Sequence, residues 1–263
     1  MTQDELGAES NVWRVLNQSV LGTSHARDGD TCQDAEEVAR AGGNVLILIC
    51  SDGAGSATHS ARGSRLACRA AMRVISAALA NGFTFEGDEA LDAPLHWAEQ
   101  VHDCINEVAE AEGLVSRDFA CTLLLAVLGE SHSIFLQLGD GAIVTSNGSS
   151  IDVVFWPDRG EYANATWFIT DKRSIGRVQI ARTGRVEEVA LFTDGLQSIA
   201  LDYSTKRAHP PFFLPMFRAL RAVASSDELQ VALKRFLDSP PVNERTDDDK
   251  TLILATRLPP PPI

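Results

Sequence analysis

Six apolar residues in a row, Val45 to Cys50, stop at Ser51-Asp52-Gly53-Ala54-Gly55, and this abrupt change leaves few folds open. A strand with one wet face alternates apolar and polar residues, so an unbroken Val, Leu and Ile run predicts a strand buried on both faces. Such a strand needs a layer packed above it and another below. Asp52 then stands where a core strand emerges. Glycines at 53 and 55 keep side chains away from whatever approaches the backbone there, and Ser56 can cap the Ala- and Arg-rich helix expected next. On this stretch alone, a tight turn whose acid merely caps that helix explains the pattern equally well.

Composition narrows the choice. A chain of 263 residues with 44% hydrophobic content can bury a sizeable core. Its 36 acids against 23 bases, a net charge of −13, argue against a nucleic-acid surface and leave room for acids gathered around a cation. Five cysteines (Cys32, Cys50, Cys68, Cys104, Cys121) form no C-x-x-C pair and read as reduced core residues, and Met1 to Ser10 has no apolar stretch of the kind an export signal carries. The expectation is a cytoplasmic protein with no membrane and no nucleic-acid partner.

Along the chain, residues 1–11 read as a flexible start, 12–258 as a single domain and 259–263 as a proline-rich tail. Val12 to Leu21 predicts a strand, and Gly22 to Asp34 a polar loop holding His25, Arg27, Asp28, Asp30 and Asp34. Helical spacing predicts helices over Ser60 to Asn81 and about Ala93 to Glu110. Strand patterns follow at Ala120–Leu128, Ser133–Leu138, Ala142–Thr145, Ile151–Trp156, Thr166–Ile169 and Val186–Phe192, with Asn147-Gly148 as a hairpin turn. Thr193-Asp194-Gly195 repeats the acid-glycine step at the end of an apolar run. Two helices around Pro215–Ala224 and Asp227–Leu237 precede Asp247-Asp248-Asp249-Lys250 and a last strand, Thr251 to Ala255.

Asp34, Asp52, Asp194 and Asp248 thus each sit at a strand or loop end. If the strands form one packed pair of sheets, these ends meet at one rim, where four carboxylates repel one another unless hard divalent ions neutralise them. Aspartates without Cys or His ligands point to Mg or Mn rather than zinc or copper. Two such ions about 3.5 to 4 Å apart bind a phosphate and lower the pKa of a bridging water.

The ordered series Gln33-Asp34, Asp52-Gly53-Ala54-Gly55, Ala120-Cys121-Thr122, Gly139-Asp140-Gly141, Thr193-Asp194-Gly195-Leu196 and Asp248-Asp249-Lys250-Thr251 resembles the metal-dependent type 2C serine/threonine protein phosphatases, in a divergent, bacterial-like form. The resemblance covers nearly the whole chain. It implies an α+β fold, a central β-sandwich of two antiparallel sheets flanked by helix pairs. It also implies removal of phosphate from phosphoserine and phosphothreonine in proteins by a metal-bridging hydroxide. Asp52 would bridge two Mg or Mn ions with the Gly53 carbonyl on one of them, Asp194 and Asp248 would hold the other, and Asp34 would act through bound water. Asp118 would complete a third, weaker site. The implied partners are a phosphorylated protein and a cognate kinase.

Two family features are replaced. Gly29 stands where the family has a phosphate-gripping Arg, leaving Arg27, His25 and Arg62 as candidate anchors. Ala54 stands where some members carry a proton-donating His, leaving His25 or His59 to serve. The segment Trp156 to Trp167 falls where the family has a flap, and its aromatics suit either a phosphopeptide contact or the sandwich core. These replacements keep open a second reading, a phosphoprotein-binding module without turnover.

Overall fold

The computed structural model describes residues 13–258, apart from 43, 88, 149, 158–165 and 224. The flexible start, the proline-rich tail, and Arg159, Tyr162 and Asn164 of the flap segment lie outside the described residues. In chain order the elements are β1 (Trp13–Val20), α1 (Thr23–Asp28), β2 (Ala35–Ala41), β3 (Val45–Ser51), α2 (Ser60–Ala80), α3 (Glu89–Ala111), β4 (Leu123–Leu128), β5 (His132–Leu138), β6 (Ala142–Ser146) and β7 (Ile151–Phe155). They continue as β8 (Gln179–Gly184), β9 (Glu188–Phe192), α4 (Gln197–Ala200), β10 (Leu201–Asp202), β11 (Arg207–Ala208), α5 (Pro210–Ala222), α6 (Asp227–Leu237), α7 (Pro240–Asn243) and β12 (Lys250–Arg257).

Two five-stranded antiparallel sheets, ordered β1-β12-β9-β6-β7 and β2-β3-β4-β5-β8, carry the fold. The central run of β3 is buried on both faces, as its composition requires. Ile47 and Ile49 pack under α2 and α3, while Leu46, Leu48 and Cys50 face the other sheet. In β12 the same division sends Leu252 and Leu254 toward α5 and α6, and Ile253 and Ala255 toward β3 and β4. Each of these Leu and Ile side chains, fully buried, is worth roughly 1.5 to 3 kcal/mol. The result is four layers, helices outside two sheets, in agreement with the α+β sandwich expected from the sequence.

The structure corrects several boundaries. The stretch Gly22 to Asp34 holds the six-residue helix α1, and β2 and β8 are edge strands whose partly exposed, polar faces gave no apolar signal. Thr166 to Ile169 is not a strand: Ile169 donates its N–H to the Cys121 carbonyl at 2.9 Å and fills the helix-side core. Trp156 and Trp167 both pack against core clusters, Trp156 edge-on to Tyr203 at 5.2 Å.

Gly63 shows how closely α2 approaches the chain before β4. A Cβ there would lie 2.1 Å from the Phe119 carbonyl oxygen, a backbone atom. Gly63→Ala should therefore cost about 2 kcal/mol or more in urea unfolding, whereas Gly176→Ala, with nothing within 4 Å, should be close to neutral.

Candidate active site

Antiparallel pairing brings the motif ends to one rim. Ala35 pairs with Ser51, Val20 with Lys250, and Phe192 with both Leu252 and Ala142, so residues just beyond these positions leave the sheets at the same end. Those residues are Asp34, Asp52, Asp140, Asp194 and Asp248. Asp52 is fixed by its neighbour strand: its N–H donates to Thr122 Oγ1 at 2.9 Å, and Thr122 returns an N–H to the Asp52 carbonyl at 2.8 Å. Gly53 follows in a space where a Cβ would meet Ser60 and Gln33 backbone atoms at 2.7 and 2.8 Å, so only glycine lets the chain turn there.

Carboxylate oxygens of Asp52, Asp140 and Asp194 lie within 4.8 Å of one another. Burial, reinforced by Asp34, Asp194, Asp248 and Asp140, pushes the Asp52 carboxyl well above the usual aspartate range. Asp194 is raised likewise, by burial and then by Asp140, Asp248 and Asp34. Asp34, whose Oδ2 accepts from the Thr193 and Thr251 hydroxyls at 2.7 Å each, is pushed up to about 7 by burial, against the pull of those hydroxyls. Asp248 is raised by burial while its Oδ1 accepts the Asp249 N–H at 2.8 Å. Among the described residues no Lys or Arg forms an ion pair with Asp34, Asp52, Asp194 or Asp248. Hard oxygen donors that repel one another and lack a cationic side chain fit a divalent cation.

A family model described as Protein phosphatase 2C matches residues 21–238. The chain belongs to that family. It is 39% identical to serine/threonine-protein phosphatase 3 of Escherichia coli (strain K12) over 250 residues, 92% of this chain and 98% of that protein. Its fold is shared with serine/threonine phosphatase Stp1 from Staphylococcus aureus (16% identity, 92% of this chain, 94% of the other, TM-score 0.65). The same holds for the catalytic domain of serine threonine protein phosphatase PstP in complex with 2 manganese ions (16%, 94% and 99%, TM-score 0.61).

Within this type 2C chain the structure treats the other expected site residues unequally. Gly29, in place of the family Arg, is the left-handed C-cap of α1 (φ 78°, ψ 17°), a conformation that strains any side chain with a Cβ. Arg27 stays outside the carboxylate group: its Nε donates to the Thr23 carbonyl, and its guanidinium reaches the exposed Asp247 at 3.4 Å. Arg62 is held bidentately by Glu112 at 2.9 and 2.7 Å, and His59 lies against the Phe119 ring. His25 sits 3.0 Å from Asp249. Burial lowers the proton affinity of its ring, but Asp249, Asp248 and Asp30 outweigh that and leave it raised.

Asp118 is not brought into the carboxylate group. Its Oδ2 turns back to accept the Val115 N–H at 3.2 Å, capping the 3-10 turn Ser116–Phe119. The position near the other two carboxylates belongs instead to Asp140, which the sequence reading left without a role. The signal was present, because Gly139-Asp140-Gly141 is another acid between glycines at the end of an apolar strand. Calorimetry with Mn should separate the two: Asp140→Asn should weaken binding about tenfold or more, and Asp118→Asn should leave it within about twofold while costing about 1 kcal/mol of fold stability.

Proposed function

We propose that this chain is a Mg- or Mn-dependent hydrolase that removes phosphate from phosphoserine and phosphothreonine side chains of cytoplasmic proteins. The observation that carries this reading is the gathering of Asp52, Asp140 and Asp194 at the sheet rim, where burial and then neighbouring acids such as Asp34 and Asp248 raise the proton affinity of Asp52 and Asp194 and where, among the described residues, no Lys or Arg pairs with either. The relative named as a serine/threonine-protein phosphatase, and a fold shared with a manganese complex, support it. Bound divalent ions supply charge neutralisation and a water of lowered pKa. The chain's own part is to place the ligands: Asp52 and the Gly53 carbonyl at the end of β3, Asp194 after β9, Asp248 before β12, and Asp34 tied to two threonine hydroxyls.

With Gly29 and Ala54 in the two replaced positions, His25 is the proposed proton donor to the leaving alkoxide. Hydrolysis of p-nitrophenyl phosphate and of a phosphothreonine peptide should require Mn or Mg and cease in excess EDTA. Undiminished rates in EDTA would reject metal dependence; no hydrolysis of either substrate with any divalent ion would leave a phosphoprotein-binding module.

A further inference from the structure

One buried carboxylate at the rim is not part of the group just described. Asp249 follows Asp248 directly, and its side chain is only 2% exposed. Its Oδ1 accepts the Gly22 N–H at 2.6 Å, its Oδ2 accepts the Gln33 N–H at 2.6 Å, and the same Oδ2 lies 3.0 Å from His25 Nδ1. Its backbone oxygen is where a Cβ on Gly195 would arrive, at 2.0 Å. The segments that carry Asp34, Asp194 and Asp248 therefore all meet at Asp249.

His25 is held from several sides. Its carbonyl accepts the Asp30 N–H at 2.9 Å, and the preceding residue binds the Asp247 carbonyl through both its N–H (2.9 Å) and its hydroxyl (2.6 Å). The helix α1 cannot swing without breaking these bonds. The buried ring nitrogen is Nδ1, which approaches the Asp249 carboxylate to 3.0 Å without a well-aligned hydrogen bond, and the side chain keeps 17% of its exposure, with Nε2 as its other nitrogen. Around the ring stand Asp249 and Asp248 from the turn before β12, and Asp30 from the loop after α1. Arg27, on the same helix, faces Asp247 instead.

We propose that Asp249 is a positioning residue that holds the His25 imidazole by Nδ1 and so presents Nε2 as the proton donor to the leaving alkoxide. This rests on the hydrolase reading above. In the step, a water oxygen forms a bond to phosphorus, and the bond from phosphorus to the serine or threonine Oγ breaks with its electron pair. The proton from Nε2 goes to that oxygen, and the ring is reprotonated from solvent, leaving inorganic phosphate and the free hydroxyl. A carboxylate on one ring nitrogen is the usual means of fixing which nitrogen carries the exchanging proton.

Asp249 as a mere staple between loops would account for the same bonds, so the test must separate orientation from stapling. His25→Asn keeps an N–H donor at the Nδ1 position and removes only Nε2. With Mg, its turnover of a phosphothreonine peptide should fall roughly a hundredfold. Its loss on p-nitrophenyl phosphate, whose phenolate leaves unprotonated, should be at least tenfold smaller, at an unchanged melting temperature. Asp249→Asn should shift the same ratio in the same direction if it folds. Independently, long-range proton–nitrogen NMR of the Mg-loaded parent above pH 8 should show the neutral His25 ring protonated at Nδ1. Equal losses of His25→Asn on both substrates, or a ring protonated at Nε2, would overturn the proposal. If the parent hydrolyses neither substrate, the hydrolase reading fails, while the NMR result still decides whether Asp249 holds Nδ1.

Discussion

Asp52→Ala and Asp194→Ala should each lower metal-dependent hydrolysis by about a thousandfold or more while leaving a folded protein. Both carboxylates belong to the triad within 4.8 Å, and both are pushed well above the usual aspartate range, first by burial and then by neighbouring acids. On the proposed reading, removing one would take away a ligand for the ions and, with them, the activation of water, an effect worth several kcal/mol in the barrier. In the absence of metal the same change removes a repelling charge, so the metal-free melting temperature should stay level or rise. That combination, activity gone and fold kept, is what distinguishes a ligand from a structural acid. A variant that retains a tenth of the parent rate, or one that melts markedly earlier without metal, would mean that the carboxylate does a different job. The readout is p-nitrophenyl phosphate turnover against Mn concentration, paired with melting in EDTA.

The sandwich could be read from the chain because its central strands declare themselves. The Val45 to Cys50 run and the Leu252 to Ala255 run have no polar face, and only layers on both sides satisfy them. The edge strands β2 and β8 were not legible, since an edge facing water keeps charged residues such as Glu36, Glu37 and Arg182. The rim acids were legible as strand-end motifs: the structure places Asp52 and Asp194 within 4.8 Å of each other and of Asp140, while Asp34 and Asp248 act on both through their charge. Asp118 and Asp140 could not be ranked by spacing, because which acid turns inward depends on a local cap: Val115 N–H captures one, and Thr166 Oγ1, donating at 2.8 Å, orients the other. Asp249 was hidden for a similar reason. In a run of three aspartates nothing in the sequence says that the third faces two backbone N–H groups and a histidine.

The last expectation concerns pH and metal together. In most proteins paired aspartates have depressed pKa values and lose their contribution as pH falls; here the sign is reversed. Burial pushes Asp34 from the ordinary aspartate range up to about 7, and Asp52 and Asp194 are also raised. A carboxyl raised in the folded state binds its proton more tightly there than in the unfolded chain. The metal-free protein is therefore unpenalised below about pH 4, loses stability as the unfolded carboxyl ionises, and carries the full penalty above about pH 7. Divalent ions compete with those protons and bind the ionised group, so they should restore more stability at high pH than at low pH. Melting in EDTA should thus rise from pH 8 to pH 5.5, and saturating Mn should raise the melting temperature strongly at pH 8 and little at pH 5.5. Asp34→Asn, which keeps an oxygen for the Thr193 and Thr251 hydroxyls, should flatten the EDTA profile. A parent that melts earlier at pH 5.5 than at pH 8 in EDTA, with the same Mn shift at both, would show that these carboxyls are already ionised and balanced by something other than a metal.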